Sequence, residues 1–250
     1  MAPDTPPEAD NAAGAVAEEI GFARRLLRRV GGRLAIVFLC IALPLWTFGE
    51  LAEDVLEAEP FAFDQPILLL MRSLAGPEAD AFFLVVSALG FGWGVIPLDI
   101  ALVLVLTLKR RAREATFAAL AIGGSALLNM AAKRSFQRDR PALWESIAPE
   151  TTYSFPSGHA MGSATLACVL VVLAWRTRAR VAFAASCIVL VALVGASRVY
   201  LGVHYPSDIL AGWAAAVAWT VGVAIVVRPG VGRDHRRPLP SGSPRSGRVG

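Results

Sequence analysis

The stretch that decides the reading of this chain is YSFPSGHAMGSATLACVLVVLAW, from Tyr153 to Trp175. A Pro-Ser-Gly-His knot stands there at the mouth of an apolar run. Crossing the hydrocarbon core of a bilayer takes about 20 apolar helical residues, a figure that tilt or a thinned bilayer relaxes. The run after His159 comes close to that length. A histidine and a proline at its threshold therefore need a reason.

Working outward, the same kind of run recurs along the chain. Leu34–Gly49, Ala81–Leu108, Ala115–Ala132, Ala160–Trp175, Val181–Ser197 and Ile209–Val227 are all apolar and of spanning or near-spanning length. Hydrophobic residues make up 55% of the chain and charged residues 18%, against roughly 25% charged in a soluble domain. These features predict an all-α protein, an integral membrane bundle of six transmembrane helices over residues 34–227. Residues 1–33 and 228–250 read as cytoplasmic tails, the first partly and the second wholly disordered. The first run begins too late, and lacks the small-residue cleavage site, to be a removable signal. Cys40, Cys168 and Cys187 lie inside apolar runs without metal-like spacing and read as small core residues.

Two stretches are less regular. Ala81–Leu108 is long for one crossing and contains Gly90, Gly92, Gly94 and Pro97, so one long or broken helix is expected there. Pro66–Leu74 is apolar but too short to span, which suits a segment lying along the outer interface.

The net charge of +4 does not point to nucleic acid, because the basic residues gather at alternate helix ends. Lysine and arginine accumulate in cytoplasmic loops beside spans. The clusters are Arg24, Arg25, Arg28, Arg29 and Arg33; Lys109, Arg110, Arg111 and Arg113; Arg176, Arg178 and Arg180; and Arg228, Arg233, Arg236 and Arg237. They all fall on one side only if an even number of spans separates successive clusters. Six crossings with both termini cytoplasmic satisfy that condition.

Some charges break this rule. KRSFQRDRP (133–141), the Ser157-Gly158-His159 threshold and SRVYLGVHYPSD (197–208) all fall at outer helix ends. Placing lysine or arginine at depth costs roughly 2.5–3.5 kcal/mol on insertion scales, so such residues mark function. A bundle that joins these ends pools Lys133, Arg140 and Arg198 with the bases His159 and His204 and the carboxylate Asp208. Arginine forks match phosphate oxygens, and lysine adds a point charge. Ser157 suits an N-cap, and Gly158 lets an anion approach the free N–H groups of the helix start. The threshold is then an anion site. His204, with Asp208 holding its other ring nitrogen, is placed to attack phosphorus. His159 is placed to protonate the leaving oxygen. Three cations and a helix end supply the charge neutralisation, so no metal or other cofactor is expected.

Each residue also has a plainer reading by itself. Lys133, Arg134 and Arg138 suit snorkelling anchors or lipid-headgroup contacts, and Arg134 and Arg138 are left with that role. His159 suits a polar helix end, and His204 with Asp208 a structural pair. Asn129 suits an interhelical hydrogen bond, and Gly123, Gly124, Gly195 and Gly212 suit close packing. His235, in the tail, has no assigned role. What favours chemistry is the joint occurrence of all these groups on one face.

Lys133-x6-Arg140-Pro141, then Pro156-Ser157-Gly158-His159, then Ser197-Arg198-x5-His204-x3-Asp208 resembles the three-part signature of the type 2 phosphatidic acid phosphatase family. Its superfamily includes bacterial acid phosphatases and vanadium haloperoxidases. The resemblance covers about residues 81–227 and leaves out the tails. It implies a nucleophile at His204 that forms a phosphohistidine, an orienting Asp208 and a general acid at His159. It also implies phosphate binding by Lys133, Arg140, Arg198, Ser157 and Gly158. The membrane members have six helices, act without a metal ion and carry the site at the outer leaflet. The expectation is a multi-pass cell-membrane phosphatase for a lipid phosphate monoester or diphosphate, such as phosphatidic acid, phosphatidylglycerol phosphate or polyprenyl diphosphate. Its partners are that substrate and membrane lipids, with no nucleic acid.

A phosphotransferase passing the group to a lipid acceptor would use the same residues and stays open. A transporter ranks lower, because Asp99 is the one strong charge at mid-depth in the spans. A haloperoxidase ranks lower again, since those relatives are typically soluble.

Overall fold

The structure, a computed structural model, describes residues 37–175 and 177–229, together with positions 21, 30–32 and 34–35. The arginines at 24, 25, 28, 29 and 33, Arg176, His235 and all but a few residues of the two tails lie outside the described residues.

Every regular element among the described residues is helical. A π turn, Phe38–Ala42, leads into α1, Leu43–Leu56. Then follow α2, Asp64–Ser73; α3, Pro77–Leu89; and α4, Val95–Leu108. The chain continues through α5, Ala112–Phe136; α6, Gly158–Ala174; α7, Arg180–Tyr200; and α8, Pro206–Val227.

The fold class is all-α, and α5, α7 and α8 are each long and apolar enough to cross a membrane. Helices α4 and α6 are apolar but shorter. Length and composition alone thus single out three of the six expected crossings. The second expected span is interrupted: α3 stops at Leu89 and α4 starts at Val95. At the break the backbone folds so tightly that a Cβ on Gly94 would lie 2.2 Å from the Leu89 carbonyl oxygen. Only glycine fits that approach. Pro97 falls in the first turn of α4, where its missing N–H costs nothing.

Local signals set the helix ends that matter. Ser157, extended, caps α6 and accepts from the Ala160 N–H at 3.4 Å. Pro206 opens α8, and the Asp208 carboxylate reaches back to accept from the Tyr205 N–H at 2.9 Å. Both devices satisfy N–H groups that a helix start leaves free. Helix α5 ends where Gln137 turns left-handed at φ 46° and its N–H bonds the Lys133 carbonyl at 3.1 Å. The chain leaving that turn carries Arg138 and Arg140 back over the bundle.

Packing defines two ends. Leu106, Ala115, Phe117, Ala118, Ala121, Val169 and Val223 form one core cluster. It joins the end of α4, the start of α5 and the ends of α6 and α8. The described basic residues Arg110, Arg111, Arg113, Arg178, Arg180 and Arg228 flank those same helix ends. At the opposite end Leu68 of α2, fully buried, packs on Ala160, Val199 and Ile209. The segment expected along the interface is thus a short helix docked over the tips of α6, α7 and α8. Leu127, Ile188, Leu190 and Val226 are exposed, as the sides of a lipid-facing bundle are.

The expected close-packing glycines divide. A Cβ on Gly124 would strike Trp219, one on Gly195 would strike Trp213 and Ile209, and one on Gly212 would lie 2.9 Å from the Ser157 carbonyl oxygen. Gly123 is a correction: a Cβ there meets nothing within 4 Å, because that face of α5 looks away from the bundle. Gly212 holds α8 against the start of α6. Gly212→Ala should therefore destabilise the protein by about 1–3 kcal/mol, the usual cost of overpacking. Thermal unfolding in detergent measures it, with Gly123→Ala, expected near wild type, as the control.

Candidate active site

His204 lies in the turn between α7 and α8 and is 1% exposed. Its Nδ1 is 3.3 Å from Asp208 Oδ2, and its Nε2 is 3.1 Å from Arg140 Nη1. Asp208, fully buried, accepts on Oδ1 from Arg138 Nη1 at 2.6 Å. Its Oδ2 takes the Ser154 hydroxyl as well as the Tyr205 N–H. A carboxylate so surrounded stays ionised despite burial. Burial is the main influence on His204 and pushes its imidazole down to about 4, with the Asp208 hydrogen bond acting in the opposite direction. The ring is therefore neutral at physiological pH, with the Nε2 lone pair turned toward Arg140 Nη1.

Arg140 donates through Nε to the Thr152 carbonyl at 2.6 Å and through Nη1 to the Val203 carbonyl at 2.7 Å. Its Nη2 meets Glu150 Oε2 at 2.9 Å. Arg198 projects from the last turn of α7, is 2% exposed, and donates to the Ser87 hydroxyl and to Glu150 Oε1. The Nε of Arg198 is buried without a partner among the described residues. Lys133, near the end of α5, donates to the Tyr153 carbonyl and to Thr152 Oγ1 at 3.5 Å, the same strand of loop that Arg140 grips. His159 stands on the first turn of α6, its ring stacked on Phe91 at 4.7 Å and its Nδ1 3.9 Å from Glu150 Oε1. The helix break thus has a local effect, since it delivers Phe91 to this histidine.

Ser157 is fully buried; its N–H donates to the Asp208 carbonyl at 3.1 Å, binding the start of α6 to the start of α8. Asn129 donates to the Pro156 carbonyl at 3.1 Å, and a Cβ on Gly158 would lie 3.2 Å from its Oδ1. All eight residues singled out in the sequence therefore meet at one end of the bundle. His204, Arg140, Glu150 and His159 form one connected chain of contacts, with Arg198 joined through Glu150. A cavity of about 700 Å³ beside them is lined by residues including Lys133, Arg134, Arg138, Arg140 and Glu150.

Arg138 is a correction. It is not a lipid anchor: its side chain is 16% exposed and bridges Asp208 to Asp64, 3.0 Å from Asp64 Oδ2. It also donates to Ser207 Oγ at 2.8 Å and lies over the Tyr205 ring at 4.1 Å. Arg134 stays exposed. The sequence leaves Glu150 and Ser154 unmarked, and Asp64 stands in it only as one acid of the acidic outer loop from Glu50 to Asp80. Glu150 is held below the usual carboxylate range: burial would raise it, but Arg198 and Arg140 outweigh burial. One signal was available for it, the need for an anion among so many cations. Asp64 carried a weaker one, an acid at the start of a short apolar helix.

The helical bundle thus carries an imidazole–carboxylate pair and a pool of cations together at one end. The model of the PAP2 superfamily matches residues 114–230. Decaprenylphosphoryl-5-phosphoribose phosphatase of Mycobacterium tuberculosis is 36% identical over 149 residues, 58% of this chain and 76% of that protein. The chain belongs to the PAP2 superfamily. Phosphatidylglycerophosphatase B of Bacillus subtilis is 32% identical over 136 residues, 51% of this chain; the match spans 65% of that relative, a little under two thirds of its length. The crystal structure of a transmembrane PAP2 type phosphatidylglycerolphosphate phosphatase from Bacillus subtilis shares the fold. It has a TM-score of 0.66 and 24% identity, covering 74% of this chain and 96% of that one.

Two outcomes are expected. Arg138→Ala removes one partner of a buried pair and should cost about 3–5 kcal/mol of stability, read from the unfolding midpoint. The second concerns pH. An unfolded histidine titrates near 6.5, whereas His204 resists protonation down to about 4. Its contribution is complete above the unfolded value and is lost as pH falls from there toward the folded one. The unfolding midpoint should drop across that window, and His204→Gln should flatten the drop.

Proposed function

We propose that this protein is a membrane phosphoric ester hydrolase that removes phosphate from a lipid phosphate through a phosphohistidine. The observation that carries the reading is His204, one ring nitrogen held by buried Asp208 and the other beside Arg140. That engagement of Nδ1 makes Nε2 the nucleophile.

Nε2 attacks phosphorus and the ester P–O bond breaks. His159 gives its proton to the departing alcohol oxygen. Water then attacks the phosphohistidine, losing a proton to His159, and the P–N bond breaks to release phosphate and restore both rings. Lys133, Arg140 and Arg198 offset the charge on the phosphoryl oxygens, so the reading requires no metal. Gly158 opens α6, whose first N–H groups suit an anion, while the Ser157 N–H is already given to the Asp208 carbonyl. Asp208 keeps the attacking tautomer and supports the imidazolium that forms.

The substrate class rests on the relatives, whose names specify phosphatidylglycerophosphate and decaprenylphosphoryl-5-phosphoribose. A lipid phosphate monoester or diphosphate, of the phosphatidic acid, phosphatidylglycerol phosphate or polyprenyl type, suits a charged pocket at the end of apolar helices. The described basic clusters flank the opposite end, and such clusters favour the cytoplasm. The site therefore faces the outer leaflet and the termini the cytoplasm.

Phosphate release from a panel of lipid phosphates by the purified protein is the test. His204→Ala should fall to the uncatalysed background and His159→Ala by about 10²–10⁴-fold, while EDTA should leave the rate unchanged. Wild-type turnover by His204→Ala would sink the mechanism. Labelled substrate should yield free phosphate; label appearing on a lipid acceptor instead would make the protein a phosphotransferase.

A further inference from the structure

The most telling group at this end of the bundle belongs to none of the three signature segments. Glu150 sits in the irregular chain between α5 and α6 and sends its carboxylate into the cation cluster. Oε2 takes Arg140 Nη2 at 2.9 Å, Oε1 takes Arg198 Nη2, and the same Oε1 lies 3.9 Å from His159 Nδ1. Each oxygen thus engages a different guanidinium. That is the arrangement two non-bridging oxygens of a phosphoryl group would adopt between the same two arginines. A carboxylate has one oxygen fewer than a phosphoryl group, and one donor in the cluster is unmatched: the buried Arg198 Nε has no partner among the described residues.

Both anions do not fit together. A phosphate monoester carries close to two negative charges at neutral pH, and placing it beside a third charge held by the same arginines is strongly unfavourable. Nothing regular fixes the carboxylate in place, since the chain from 138 to 157 contains no helix or strand. Glu150 also lines the 700 Å³ cavity that adjoins the cluster, which gives the side chain somewhere to go.

We infer that Glu150 is an internal substitute for the phosphoryl group, occupying the anion pocket of the resting protein and displaced when the substrate's phosphate enters. This rests on the reading of the site as a phosphate site. The carboxylate keeps Arg140 and Arg198 paired and in position between turnovers. It also sets a threshold: an anion enters only if it binds the two arginines better than a tethered carboxylate does. A phosphate monoester or diphosphate, with more charge and more acceptors, meets that condition, while a phosphodiester with a single charge and the carboxylates of ordinary lipids and metabolites do not.

The test measures inorganic phosphate binding by calorimetry to the purified full-length protein, beside the steady-state kinetics of a lipid phosphate. Wild type, Glu150→Gln and Glu150→Asp are compared. Neutralising the competitor should tighten phosphate binding by about tenfold or more and lower KM in parallel, with kcat unchanged or higher. Glu150→Asp should remain close to wild type and shows that the segment still folds. Equal or weaker phosphate binding by a folded Glu150→Gln overturns the inference, as does a fall in kcat with KM unchanged, which would make Glu150 a positioning group for His159. Tighter phosphate binding in a protein that hydrolyses no lipid phosphate upholds the inference and overturns the hydrolase reading. Absence of phosphate binding in all three proteins overturns both.

Discussion

A carboxylate removed from water must have its lone pairs taken up by donors, or the fold around it does not hold. Asp208 meets that demand from several directions. Arg138 comes from the chain that follows α5, and Ser154 from the chain that precedes α6. The Tyr205 N–H comes from the start of α8, and His204 from the turn after α7. One buried charge therefore pins together segments that lie far apart in the sequence. The same atoms that stabilise the helix start also hold the imidazole, so capping and chemistry are a single arrangement.

The rest of the polar end repeats this logic at lower stakes. Arg138 carries the tie outward to Asp64, whose oxygens also accept from the Ser207 N–H and hydroxyl. Arg198 is buried by α3 and held by Ser87, which the interrupted helix brings alongside. Below this layer the helices are joined by apolar contacts and a few small polar ones, such as Ser125 to Thr165 at 2.8 Å. Charge is concentrated where the helices end, as expected for a bundle whose sides meet hydrocarbon.

Much of this was legible in the sequence because the informative residues sit at helix ends, where local rules are strong. Ser157, Pro206 and the basic stretch at the end of α5 each announce a boundary, and spacing along the helices brings Lys133, Arg198 and Asp208 to one level. The glycines at 90, 92 and 94 announced the break in the second span. Less legible were partners chosen by tertiary proximity. Glu150, Ser154 and Asp64 have no periodic signature, and each acts only through a residue from another segment. Arg138 was visible but misread, because the carboxylate that draws it inward lies far along the chain. Gly123 and Gly124 are neighbours in the sequence, yet only the second meets a tryptophan; composition cannot separate adjacent positions on a helix.

The short helix α2 has a consequence for where the protein's working unit begins. The region shared with the superfamily model starts at residue 114, yet Asp64 stands well before it and satisfies both Arg138 and Ser207 inside it. An excised fragment limited to the shared region would leave Arg138 with Asp208 as its one carboxylate partner and would take away the acceptor of the buried Ser207 N–H and hydroxyl. The boundary drawn by kinship and the boundary drawn by charge compensation are therefore different: the second takes in α2.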